Sequence, residues 1–403
     1  MYLFHIFRSL VPLRNPIGFG ASDLLELGLA VTALTAIFCY AFFGGWLRKF
    51  AQRTAPCMIV VFVLPIGLRL ALLPRASAPV AETAKEFSSL LLADTLLHGR
   101  IANPPHALSE FFEAPLVEQR PVYRSTLPMG DGFLLALGLS IFRNSWAGIL
   151  LGVGALSALS YWMLRGWMAA EWALVGGVAV ACAFGPLCGW ANGYWGGFVV
   201  ALGGCMIVGA LPRLRKRKAG TAAVLGLGIV LGFLASPSAF CLFVPVLVLA
   251  TMLGLKMLNR IRADLFCVIV ILCAAHFVFW YGMHAFADRA ALMSVSAYAG
   301  KNFVDDPERR LHGVVEAELN RQPGQQLVFV RRDAWHGPGE WIHNGADIDA
   351  SKVAWARDLG PETDRKLIDY YAGGRKLWLL EPDAIPLRLR TYSVTSGPSE
   401  NAR

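Results

Sequence analysis

Long apolar runs joined by short basic connections fill the first two thirds of the chain, and one long polar stretch, residues 76–132, interrupts them. A helix needs roughly 17 to 25 apolar residues to cross a bilayer. About eight runs qualify: 22–45, 56–74, 145–164, 171–190, 195–211, 221–236, 238–257 and 264–285. The connections carry Arg48, Lys49 and Arg53, then Arg165, then the cluster Arg213, Arg215, Lys216, Arg217 and Lys218, then Lys256, Arg260 and Arg262. With the N-terminus outside, all these cations fall on the cytoplasmic side, as the positive-inside rule asks. Residues 76–132 and everything after the last run then share the extracytoplasmic face.

Shorter patterns fill in the rest. Phe87, Leu90, Leu91 and Leu97 recur near helical spacing with charges between them, which predicts a helix over 84–98 lying along the membrane surface. Residues 130–142 are apolar but only about a dozen long, too short for a crossing, and are expected to form a re-entrant or surface helix. From Asp288 the long apolar runs stop. The tail predicts a helix over 307–321, a strand over 326–331, a turn-rich loop over 333–349 and a strand near 352–356. A helix from Pro361, with Glu362 and Asp364 in its first turn and Gly373–Gly374 at its end, and a strand over 377–380 complete it. The expected fold is a polytopic α-helical membrane protein (residues 1–287, with the extracytoplasmic loop 76–132) carrying a small extracytoplasmic α/β domain (residues 288–403).

Composition agrees: 56% of the 403 residues are hydrophobic and only 16% charged, far from the norm for a soluble domain. The net charge of +9 is densest in the 213–218 cluster between two apolar runs, where it reads as a topology anchor rather than a nucleic-acid surface. The eight cysteines lie in or beside apolar segments and form no disulfide framework or CxxC pattern.

Several stretches carry a resemblance. KEFSSLLLADTLLHGRIANPPH (85–106), LPMGDGFLLALG (127–138), MLRGW (163–167), NGYWGG (192–197), EWIHNGADIDASKVAWARDL (340–359) and KLWLLEPD (376–383) resemble bacterial GT-C type membrane glycosyltransferase-like proteins. That superfamily includes protein O-mannosyltransferases and the aminoarabinose transferases of lipid A. The resemblance implies a multi-pass protein of the bacterial cytoplasmic (inner) membrane. It also implies a first extracytoplasmic loop with an Asp-Glu pair, a polyprenyl-phosphate sugar as donor, and an acceptor glycan, lipid or protein outside. A lipid-linked sugar keeps its phosphate at the interface, so the base that deprotonates the acceptor and the cations that meet the leaving phosphate must lie at that depth.

The family's Asp-Glu-Phe stands here as Lys85-Glu86-Phe87, its Lys-Tyr-Pro-Pro-Gly as Thr126-Leu127-Pro128-Met129-Gly130, and its Arg-Pro-Tyr-Glu as Ser236-Pro237-Ser238-Ala239. Glu86 is then the first candidate for the base and Asp131 the second. Lys85, Arg120 and Arg124 are candidate phosphate ligands, as is Arg69, which otherwise snorkels toward the headgroups. Asp94, His98, Arg100, Tyr123, Asn192, Tyr194 and Trp195 are candidates for a sugar or phosphate pocket. Each has a plainer reading: Glu86 as a solvated helix face, Lys85 as an intrahelical pair, Asp131 as a first-turn acid favoured by the helix dipole, Tyr194 and Trp195 as an aromatic belt. His336, Glu340, His343, Asp347 and Asp349 lack standard ligand spacing and read as a hydrogen-bonded loop rather than a metal centre. No cofactor is called for, and a divalent metal is left open. The alternative to transfer is a non-catalytic relative that binds a lipid-linked glycan or a partner protein; a transporter ranks last, since the spans carry few charges.

Overall fold

A computed structural model describes residues 45–46, 48–194, 197–216, 219–236, scattered positions between 271 and 286, 307–332 and 340–392. The N-terminal surface helix, the apolar run 22–45 up to its last residue, the run 238–257, most of 264–285, Trp195 and His336 lie outside the described residues.

In chain order the helices are α1 (Thr54–Ala71), α2 (Ala84–Leu97), α3 (Met129–Phe142), α4 (Ser145–Leu164), α5 (Ala170–Phe184), α6 (Phe198–Ala210), α7 (Ala219–Ala235), α8 (Pro307–Arg321) and α9 (Pro361–Tyr370). The strands are β1 (Val117–Glu118), β2 (Arg124–Ser125), β3 (Gln325–Val330), β4 (Val353–Arg357), β5 (Arg375–Glu381) and β6 (Arg388–Thr391). The described chain is thus mostly helical with a small sheet. Among the described residues two helices, α1 and α4, are long and apolar enough to cross a membrane; α3, α5, α6 and α7 are apolar but shorter.

The chain divides into two compact units. The first holds residues 1–78, 149–192 and 197–306. Its helices approach closely through small residues. A Cβ on Gly203 of α6 would lie 2.7 Å from the Gly228 carbonyl oxygen of α7, and one on Gly228 would lie 2.8 Å from that of Gly203, so neither position has room for a side chain. Ala51, Cys57 and Val61 meet Tyr161, Ala170, Ala173 and Leu174 in one core.

The second unit joins residues 79–148 and 193–196 to residues 307–403. The division expected near residue 287 grouped the polar stretch with the apolar region; here that stretch clusters with the tail instead. The sheet explains why. Its order is β4-β3-β5-β6, with β3 parallel to both neighbours and β5 antiparallel to β6. β3 is central, so both its faces must be covered, and successive side chains alternate between two cores. Leu327 and Phe329 point into a core with Leu367 of α9 and with Leu91, Phe111, Phe112 and Tyr123 of the polar stretch. Val328 and Val330 point the other way, against Val315 and Leu319 of α8 and against Trp341 and Ile342. Residues 76–132 therefore supply part of a hydrophobic layer under the sheet, which their polar composition hides.

Local signals set the elements. Thr83 accepts the Glu86 N–H, and Glu86 accepts the N–H groups of Thr83 and Glu82, a capping box that starts α2. Gly99 follows its end at φ +68°. Arg143 in the left-handed region closes α3, and Asn144 accepts the Trp146 N–H at 2.9 Å to open α4. Pro361 sits at the first position of α9, with Glu362 and Asp364 in its first turn.

Candidate functional site

The start of α2 gathers the largest group of candidate residues. Glu86 is fully buried. Its Oε2 accepts from the N–H groups of Glu82 and Thr83, both at 3.2 Å, and from the Thr83 hydroxyl at 3.1 Å. Its Oε1 accepts the Tyr194 N–H at 3.1 Å, and the Tyr194 hydroxyl donates to the Pro79 carbonyl at 3.0 Å. Both carboxylate oxygens are thus taken up by donors of the protein itself. A carboxylate in that position anchors chain segments; to take a proton from an acceptor hydroxyl it would first have to give up a bond.

Asp131 sits in the first turn of α3 and is also nearly buried. Burial pushes its carboxyl above the ordinary range, and the Lys85 ammonium of α2 offsets part of that rise. α2 and α3 meet closely: a Cβ on Gly132 would lie 2.6 Å from Cγ of Leu92 and 3.0 Å from the backbone nitrogen of Ala93. Glu86, Lys85, Tyr194 and Asp131 therefore belong to one corner of this unit, and of the two candidate bases only Asp131 has no hydrogen bond to its carboxylate among the described residues.

Two candidate ligands hold the tail instead. Asp94 accepts the Ala346 N–H at 2.7 Å, and the Tyr123 hydroxyl reaches the carbonyls of Asn344 and Gly345, each at 3.1 Å. Burial raises the Tyr123 hydroxyl far above its ordinary pKa, and the Asp94 charge adds to the rise. The remaining candidates disperse. Arg120 donates to the Ser109 hydroxyl at 2.8 Å, and Arg124 pairs with Glu118 at 2.7 Å on the surface. His98 lies exposed over the Asp94 carbonyl, and Arg100 is exposed.

In the other unit, Arg69 donates to Asn192 at 2.6 Å and to the carbonyls of Ala76 and Ser77 at 3.0 and 2.7 Å. Asn192 also donates to the carbonyls of Pro186 and Cys188, both at 2.9 Å. Arg69 is 1% exposed and acts as an internal clasp rather than reaching for headgroups.

The loop 340–349 is bonded throughout. Glu340 pairs with Arg332 and accepts the N–H groups of Trp341 and Ile342. Asp349 gathers the hydroxyls of Tyr370 and Tyr371 and the ring of His106. Burial pushes Asp349 up, but those three partners together hold it below its usual value. Among the described residues no three His, Cys, Asp or Glu side chains gather to hold a metal ion.

A small cleft lies in this unit between Phe87, Ser88, Phe112, Gln119, Tyr123, Glu340 and His343. Its free volume is about 10 Å³, room for roughly one water molecule. Among the described residues that cleft has no room for a sugar.

Known proteins offer no guide here. No family model, no curated protein and no solved structure matches the chain.

Sequence reasoning missed Phe87 and His312, which stack with His343 and Trp341. Phe87 belongs to an apolar stripe and closes the Lys85-Glu86-Phe87 run, and His312 is a lone histidine in an amphipathic helix. No local pattern marks either one.

Proposed function

We propose that the chain is a multi-pass membrane protein with about eight spans, whose polar stretch and tail bind a lipid-phosphate-linked sugar at the extracytoplasmic face without transferring it. The observation that carries this reading is the state of Glu86: fully buried, with both oxygens occupied by hydrogen bonds. The resemblance puts the base at position 85, which is a lysine here, and the acid beside it, Glu86, is engaged in holding the fold. A cationic Lys85 beside a buried acid suits an anionic phosphate better than it suits proton abstraction. The outer leaflet is the natural place for such a unit, because α3 leaves Met129, Phe133, Leu137, Ile141 and Phe142 exposed, with four of them four residues apart on one helical face.

Transfer is the second reading, and one observation favours it. Asp131 is a nearly buried acid whose affinity for a proton is raised, the property a general base needs. Purified protein in lipid nanodiscs, titrated with a radiolabelled polyprenyl-phosphate sugar and assayed for free polyprenyl phosphate, separates the two. Binding is expected to saturate with no polyprenyl phosphate released. Release that falls at least a hundredfold in Asp131→Asn would establish transfer with Asp131 as base, and absence of binding would remove both readings.

A further inference from the structure

Five aromatic rings from four segments converge where the tail meets α2. His343 lies flat on Phe87 of α2, with centroids 3.9 Å apart and planes 11° from parallel, and its other neighbour is Trp355 of β4 at 4.9 Å. His312 of α8 lies on Trp341 at 3.7 Å and 19°. The two imidazoles are 5.5 Å apart, and Phe87 is 5.4 Å from His312. His312 is 2% exposed and its Nε2 has no hydrogen-bond partner among the described residues. His343 Nδ1 lies 3.1 Å from the Trp341 carbonyl, an acceptor only, so Nδ1 carries the proton and the ring is neutral unless Nε2 gains a second.

We propose that this ring cluster is an acid-sensitive latch: neutral His312 and His343 hold residues 340–346 against α2, and protonating them releases that segment. The inference goes beyond the proposed function and does not depend on it. Neutral imidazoles stack like other aromatic rings, whereas two cations 5.5 Å apart in an apolar enclosure repel each other and lose their hydration.

The charged groups on the surrounding elements are already engaged. Glu340 pairs with Arg332, Asp94 accepts the Ala346 N–H, and Glu86 is bound by its cap and by Tyr194. Lys85 acts on Asp131, and Glu316, one turn along α8 from His312, is itself pushed toward its neutral form by burial. Accordingly, burial lowers His312 to about 4, while burial and the charge of His312 lower His343 to about 3. Both values lie below the ordinary 6.5, so the latched state is fully favoured above about pH 6.5 and loses ground as pH falls toward 4.

The same seam is held by the Glu340 N–H to the Glu82 carbonyl at 2.8 Å, by the Tyr123 hydroxyl to Asn344 and Gly345, and by the Ala346 N–H to the Asp94 carboxylate at 2.7 Å. The first two involve no group that titrates in that window, and variants of the histidines alone separate the part of the rings from that of Asp94.

Hydrogen exchange of the full-length protein in nanodiscs at pH 7.5 and 4.5, corrected for intrinsic rates, tests the latch. Peptides covering 340–346 are expected to lose at least tenfold in protection at pH 4.5, while β3 keeps its own. The ring-preserving double variant His312→Phe/His343→Phe is expected to keep the segment protected at both pH values. If that variant does not fold, His312→Phe alone serves, since removing one charge should move the opening midpoint of the segment to lower pH and make the transition shallower. Full protection of 340–346 in the wild type at pH 4.5, or release in the variants at the wild-type midpoint, overturns the proposal.

Discussion

Glu86 accepts the backbone N–H of Tyr194 at 3.1 Å, across 108 residues of chain. The same carboxylate closes the capping box of α2 through its other oxygen. One side chain therefore fixes both the start of the helix and a segment from a distant part of the sequence. Removing it leaves the N–H groups of Glu82, Thr83 and Tyr194 without their acceptor in a buried place. Glu86→Ala is expected to cost about 3 kcal/mol in thermal unfolding of the detergent-solubilised protein, and Glu86→Gln, which keeps one acceptor oxygen, about half of that. A loss under about 0.5 kcal/mol in Glu86→Ala would mean the carboxylate anchors nothing.

Asp131 predicts the opposite sign. Its carboxyl is raised by burial, so the folded protein binds a proton there more readily than the unfolded chain does. Stability from this group is present at low pH and is lost as pH rises through the folded value. Asp131→Asn, which has no charge to desolvate, is expected to be as stable as the wild type near pH 4 and more stable, by up to about 1 kcal/mol, near pH 8. An advantage that grows on acidification would contradict the assignment.

Gly138 and Gly148 set the closest approach of α3 and α4. A Cβ on Gly148 would collide with the Leu134 carbonyl, and one on Gly138 with the Gly148 nitrogen; both obstacles are backbone and cannot rotate away. Either Gly→Ala change should cost about 3 kcal/mol, read as a lowered unfolding temperature. The control is Gly204→Ala in α6, where nothing lies within 4 Å of the added methyl and little change is expected.

Much of the secondary structure was legible. The predicted helix 145–164 is α4 to the residue, 84–98 is α2 within one, and 307–321 is α8, because each carries its period or its cap in its own sequence. β6 was missed: Arg388–Thr391 is short, polar and at a sheet edge, and only its pairing with β5 makes it a strand. What the sequence could not display was the company the polar stretch keeps. Asp94 meets Ala346 across 252 residues and Tyr123 meets Asn344 across 221, and no local period encodes a partner at that distance. The same holds for candidate ligands. Arg69 and Asn192 looked like interfacial groups but satisfy one another, since a buried guanidinium must find acceptors wherever the fold places them.

The exposed stripe on α3 makes a lipid-facing prediction. Single cysteines at Phe133 and Ile141, labelled with an environment-sensitive dye, should be quenched by brominated lipids, and a label at the exposed Lys366 of α9 should not. Equal quenching at all three sites, or none at Phe133 and Ile141, would take α3 away from the bilayer.

The proposed function requires the unit formed by the polar stretch and the tail to lie on the outer face of the membrane. Arg100 of the first and Lys376 of the second are both exposed, which allows a direct measurement on intact cells with a membrane-impermeant maleimide. Arg100→Cys and Lys376→Cys are both expected to label from outside, without permeabilisation and to the same extent. Labelling of either one only after the cells are opened would contradict the account.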